Sequence, residues 1–145
     1  MHSGWLTIGD LSRQTGCKVQ TIRYYEQIGL MPEPERSNGN QRLYTKAHLS
    51  RLAFLRHARA LGFPLPAIRE LLSLVDHPHQ SCEAADVIAR TQLQDIEHRM
   101  ARLQSLKTEL ERMVAQCQGG EVQDCRVIEV LADHSQCLGD THPAP

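Results

Sequence analysis

The chain has 145 residues, a formal net charge of -1 and only 4% aromatic side chains. That length holds one ordinary domain or a small domain with an extension, and an apolar content carried by Leu, Ile, Val and Ala favours helices. Nothing approaches the ~18 apolar residues of a membrane span. The opening MHSGWLTIGDLSRQTG lacks a basic region followed by an apolar run, so it is no signal peptide, and a cytoplasmic protein with no membrane partner is expected.

Thr7 is placed to cap a helix over IGDLSRQ, with Asp10 in a capping-box position and Gly16 as its end. A second helical pattern follows at once through Val19, Ile22, Tyr25 and Ile28, stopping at Gly29. Two short helices with a glycine in the turn form a helix-turn-helix pattern, a signal that many helical hairpins share. Two prolines in MPEPERSNGNQRLY then break helicity, SNGN is a turn, and QRLY has strand character. Residues 33–44 therefore read as a small two-stranded wing. Thr45 caps a third helix running to about Leu61, and Pro66 suits the first turn of a fourth over Ala67–Val75.

From Cys82 to about Gln116 there is neither Gly nor Pro. Ala89, Leu93, Ile96, Met100, Leu103, Lys107, Leu110, Val114 and Cys117 recur at alternating spacings of four and three, a heptad seam. A helix ~50 Å long cannot cover such a stripe by itself, so a second copy of the chain, antiparallel or parallel, is expected along it. Lys107 on the seam either snorkels to water or sets register. Gly119 and Gly120 end the helix, RVIEVLAD reads as one or two helical turns, and LGDTHPAP as a frayed tail.

Charge divides along the chain. Residues 1–75 hold ten Lys/Arg and five Asp/Glu, residues 76–145 six and twelve, so the halves carry +5 and -6. A basic first half beside an acidic second half points to a polyanion partner for the first half alone. Five cysteines in a cytoplasmic chain read as thiols or metal ligands before structural disulfides. In CQGGEVQDC, Cys117 and Cys125 bracket a glycine-containing loop that also admits a disulfide or a redox pair. Any one cysteine can equally be a small buried hydrophobe, the reading given to Cys17 at the helix-helix turn.

TIGDLSRQTG, TIRYYEQIGLMPEPERSNGNQRLY and the long heptad helix together resemble the MerR family of transcriptional regulators, over residues 6–131. Cys82, Cys117 and Cys125 resemble the heavy-metal-sensing branch, near the cadmium, lead and zinc sensors. The fold implied is mainly α. A winged helix-turn-helix DNA-binding domain (residues 1–75) is followed by a linker and a long antiparallel coiled-coil dimerisation helix (76–118). A short metal-binding loop, short helix and tail (117–145) complete the chain.

On a recognition helix the N-terminal side chains meet base edges, so Lys18, Gln20 and Thr21 are assigned to base readout. Arg23 and Tyr24 are assigned to phosphates, as the resemblance also implies, and Arg36, Asn40, Arg42 and Tyr44 to backbone contacts from the wing. The resemblance implies a homodimer on promoter DNA that distorts the duplex when activated and so aligns the contact elements of RNA polymerase. It also implies that the metal-free dimer holds the same site undistorted, as a repressor.

Cys82 and Cys117 are 35 residues apart, or ~52 Å along a helix, so one chain cannot join them. In an antiparallel dimer Cys82 from the partner chain lies beside Cys117, and the loop delivers Cys125. Three thiolates select a soft or borderline divalent ion as effector: Cd, Pb or Zn, with Hg below them. Relatives that sense monovalent ions carry serine at the first cysteine position, mercury sensors a loop one residue longer, and zinc sensors two consecutive cysteines where Cys117-Gln118 stands here. His77, His79, His134 and Cys137 are candidate additional ligands, each histidine reading first as a surface residue. The alternative is a thiol or redox sensor on the same fold, although Cys117, Cys125 and Cys137 lack tight cluster spacing. A thiol oxidoreductase or storage protein would leave the DNA-binding pattern unexplained, and no catalytic motif is present, so the chain is not expected to be an enzyme.

Overall fold

A computed structural model describes residues 4–133. The chain forms two compact units, the first spanning Met1–Ile88 and the second beginning at Ala89.

In the first unit, α1 (Ile8–Thr15) starts on the expected reciprocal cap. The Thr7 hydroxyl accepts from the Asp10 N–H at 3.1 Å, and the Asp10 carboxylate accepts from the Thr7 N–H at 2.9 Å. Gly16 closes the helix at φ +72°, a left-handed conformation in which any Cβ would run into the Arg56 guanidinium. The helix α2 (Val19–Gln27) begins three residues on. A hairpin follows, with β1 (Glu35–Arg36) antiparallel to β2 (Arg42–Leu43) in the register Glu35↔Leu43 and Arg36↔Arg42. Each strand is two residues long, shorter than the wing run suggested. Tyr44 extends the pairing to the segment before α1, exchanging both backbone hydrogen bonds with Leu6.

The helix α3 (Lys46–Ala60) carries a second reciprocal cap, in which Thr45 pairs with His48. The next, α4 (Leu65–Val75), begins two residues earlier than Ala67, with Pro66 in its first turn. Leu11, Ile22, Leu30, Tyr44, Leu52, Leu55, Ile68 and Leu72 form one core joining all four helices and the wing. Two arginines tie the end of α2 to its neighbours. Arg69 donates to the Ile28 carbonyl at 2.5 Å, and Arg51 donates to the Leu30 carbonyl at 3.0 Å while pairing with Asp76 at 3.2 Å.

The helix α5 (Glu83–Gln116) is continuous for 34 residues, or ~51 Å. In the second unit its heptad seam faces outward: Leu93, Ile96, Met100, Leu103, Leu110 and Val114 are exposed. Lys107 on the seam makes a solvent-exposed pair with Glu111 at 3.6 Å, worth little by itself. Glu109, which the heptad reading passes over, is buried and pairs with Arg112 at 3.0 Å. After α5, Gly119 and Gly120 both take positive φ, a 3₁₀ turn covers Val122–Asp124, and α6 (Arg126–Ala132) follows. Arg126 reaches back to the Gln116 side chain at 2.9 Å and so closes the loop onto the end of α5. Among the described residues no helix is long and apolar enough to cross a membrane.

Candidate nucleic-acid interface and metal centre

The exposed face of α2 follows from its buried one. Ile22 and Tyr25 point into the core, which turns Lys18, Gln20, Arg23 and Tyr24 to solvent and leaves Thr21 half-buried. Lys18 occupies the N-cap without a side-chain cap bond, so the first amides of α2 and the Lys18 charge both favour an anion there. Tyr24 is 47% exposed, a large ring with no core to fill.

The wing adds charge of the same sign. Arg36 and Arg42 are direct cross-strand partners, and like charges facing each other destabilise a hairpin unless an anion lies between them. Arg36 also donates to the Asn40 carbonyl at 3.1 Å, holding the turn, where Asn40 itself sits at φ +63°. Between α2 and the wing runs a groove of about 290 Å³ lined by Arg23, Glu26, Gln27, Glu33, Pro34, Arg36 and Arg42.

Tyr44 departs from its assignment. It has no solvent exposure, because its two backbone bonds to Leu6 turn the ring into the core, edge-on to His48 with ring centroids 5.3 Å apart. A fully buried ring cannot grip a phosphate, so Tyr44 is a core residue and not a DNA contact. Its hydroxyl donates to Glu26 Oε1 at 2.5 Å. Burial, then the Glu26 hydrogen bond, push its pKa well above the ordinary phenol.

In the second unit the structure brings two of the expected thiols together. Cys125 stands at the N-cap of α6, half-buried. Backbone amides of Ile128 and then Val127, followed by the Cys117 side chain, hold its thiol below the usual range. Cys117 is exposed just past the end of α5. Both are free thiols, and a neighbouring pair of thiols, one with its pKa lowered, is donor chemistry that fits a soft metal ion.

Cys82 belongs to the first unit. It is exposed, its carbonyl accepts the Asp86 N–H at 2.9 Å as α5 begins, and it lines a cavity of about 300 Å³ with Phe54, Leu71, Leu74, Val75 and Pro78. His77 is exposed and its ring Nδ1 lies 2.8 Å from the Ser73 carbonyl, so Nδ1–H donates there and Nε2 stays open. His79 is also exposed. Among the described residues of one chain, no three His, Cys, Asp or Glu side chains gather into a metal site. His134 and Cys137 lie outside the described residues. Cys17 is buried, and burial raises its thiol pKa, as suits a packing residue.

Comparison with known proteins agrees with this layout. The profile of the MerR HTH family regulatory proteins matches residues 6–74, and the profile described as "MerR, DNA binding" matches residues 49–113. The transcriptional regulator ZntR of Escherichia coli K12 is 42% identical over 127 residues, covering 86% of this chain and 90% of the relative. The mercuric resistance operon regulatory protein of Serratia marcescens is 41% identical over 77% of this chain and 76% of its own length. The crystal structure of PbrR691 from Ralstonia metallidurans CH34 in complex with lead(II) superposes with a TM-score of 0.76 at 37% identity, covering 87% of this chain and 98% of that one. A helix-turn-helix with an arginine-bearing wing, a long seamed helix and identities of this size establish that the chain belongs to the MerR family of DNA-binding transcriptional regulators, which are not enzymes.

Proposed function

We propose that the protein is a homodimeric, metal-responsive transcriptional regulator whose effector is a soft divalent ion: cadmium, lead or zinc, with mercury below them. The carrying observation is the pair of free thiols Cys117 and Cys125 in the loop after α5, where backbone amides and then the Cys117 side chain lower the Cys125 pKa. Two thiolates leave a divalent ion short of ligands, and Cys82 of a second copy supplies the third. The lead(II) complex of PbrR691 supports a soft divalent ion in this fold.

The outward seam of α5 supports the dimer. Six large apolar side chains from Leu93 to Val114 stand exposed in one chain, and each one buried is worth about 1.5–3 kcal/mol. An antiparallel partner covers them and carries Cys82 to the end of α5 where Cys117 lies. Each dimer then reads two half-sites, with Lys18, Gln20 and Thr21 at base edges and Arg23, Tyr24, Arg36, Asn40 and Arg42 on the backbone. Metal binding shifts the dimer to a state that bends and untwists the promoter, so that RNA polymerase can engage it. His77, with Nε2 open, and His79 are placed near Cys82 in sequence as further ligands.

In vitro transcription from the native promoter across a panel of buffered metals tests this reading. Induction by one or more of cadmium, lead and zinc at low free concentration is expected, and no induction by any divalent metal overturns it. The two thiols also support a second reading, a reversible Cys117–Cys125 dithiol sensor. Induction by hydrogen peroxide with a chelator present would favour that reading over the first.

A further inference from the structure

Glu26 differs in sign from the arginines around it. The groove between α2 and the wing presents Arg23, Arg36 and Arg42, a set suited to a DNA phosphate, yet two acidic residues line it too, the exposed Glu33 and the half-buried Glu26. A loose carboxylate there would repel the anion that the arginines attract. The Glu26 carboxylate is not loose, because its Oε1 accepts the Tyr44 hydroxyl at 2.5 Å. Tyr44 is pinned at the other end by its backbone bonds to Leu6 and has no exposed surface. Arg42 and Arg23 both lie close enough to that hydroxyl for their charges to act on it.

The wing is held at its base by the Leu6–Tyr44 backbone pair and the buried Tyr44 ring, and the strands themselves add little. Its two strands are two residues each, and a hairpin that short has no stability of its own. The Glu26–Tyr44 bond crosses 18 residues of chain to join the recognition helix to the base of the wing.

We propose that Glu26 and Tyr44 are positioning residues for DNA binding. Their hydrogen bond locks the wing to α2, so that Arg23 and Arg42 reach one stretch of DNA backbone together. Neither touches the DNA, and Glu26 is kept despite its unfavourable charge because it anchors Tyr44. This inference rests on the assignment of α2 and the wing to DNA.

The test uses the full-length protein, wild type and the variants Tyr44→Phe, Glu26→Ala and Glu26→Gln. Binding is followed by fluorescence anisotropy over a salt series. The probes are a duplex selected from a random library by the wild-type protein and a random-sequence duplex of equal length. Tyr44→Phe and Glu26→Ala are expected to bind both duplexes about five- to tenfold more weakly, the worth of one hydrogen bond, with a shallower salt dependence as the wing arginine loses its phosphate. Glu26→Gln keeps an accepting oxygen and loses the charge, so it binds at least as tightly as wild type. If Glu26 acts through charge alone, Glu26→Ala binds more tightly than wild type, and that result, or no change, overturns the lock. Thermal unfolding separates folding from positioning. Should Tyr44→Phe fail to fold, the Glu26→Ala and Glu26→Gln pair on the half-buried helix face decides. Failure of the wild-type protein to bind either duplex would overturn the DNA assignment and the lock with it, whereas wild-type binding with an unweakened Glu26→Ala removes only the lock.

Discussion

Cys117 and Cys125 bracket a loop of seven residues, and the backbone amides of Ile128 and Val127, then the Cys117 side chain, lower the Cys125 thiol pKa. The loop turns through Gly119 and Gly120, both at positive φ where other residues are strained. A metal ion bound between these thiols needs further donors, and the removal of any one thiol leaves a set too small to hold it. Cys82→Ser, Cys117→Ser and Cys125→Ser are each expected to abolish metal-induced transcription while promoter binding in gel-shift assays stays within about twofold of wild type. Full induction in any one of them excludes the three-thiolate site.

The lowered Cys125 pKa has a pH signature. Backbone amides, then the Cys117 side chain, favour its thiolate in the folded chain. A group with a depressed folded pKa adds stability that is complete above its unfolded pKa, about 8.5 for a free thiol, and is lost as pH falls through the lower folded value. The metal-free wild type therefore gains stability over Cys125→Ser as pH rises toward the unfolded thiol value, and the two converge on the acidic side. Urea unfolding of both proteins across that range measures it. A difference independent of pH would show that Cys125 is no more acidic folded than unfolded.

Arg23 on α2 and Arg42 on the wing line the same groove. As phosphate contacts they contribute to affinity on every sequence and to its salt dependence. Arg23→Ala and Arg42→Ala are each expected to weaken binding to specific and random duplexes alike, and to flatten the slope of log affinity against log salt by about 1. Unchanged slopes would remove them from the backbone-contact set.

Leu103 lies mid-seam on α5 and is 65% exposed in one chain. If a second copy covers it, Leu103→Glu places a charge in the interface twice by symmetry. The dimer dissociation constant should rise by at least about 100-fold, read by analytical ultracentrifugation, with the helicity of the first unit retained. A variant as dimeric as wild type would mean that the seam serves something other than self-association.

What the sequence alone determined is what depends on neighbours in the chain. The Thr7–Asp10 cap, the Gly16 stop, the SNGN turn and the Thr45 start are local signals, and the structure places helix ends where they stand. The seam of α5 is legible because a heptad period over many turns cannot arise from a short stretch of chance. Tertiary structure decided the rest. A strand of two residues has too little alternation to reveal which way its side chains point, so the burial of Tyr44 emerged only once Leu6, distant in sequence, paired with it. Its bond to Glu26 and the Arg51–Asp76 pair likewise join charges from distant parts of the chain. The meeting of Cys117 with Cys125 stands between the two. Sequence showed the thiols and the glycines between them, but only the folded loop, closed by Arg126 onto Gln116, lets the Cys117 side chain act on the Cys125 thiol.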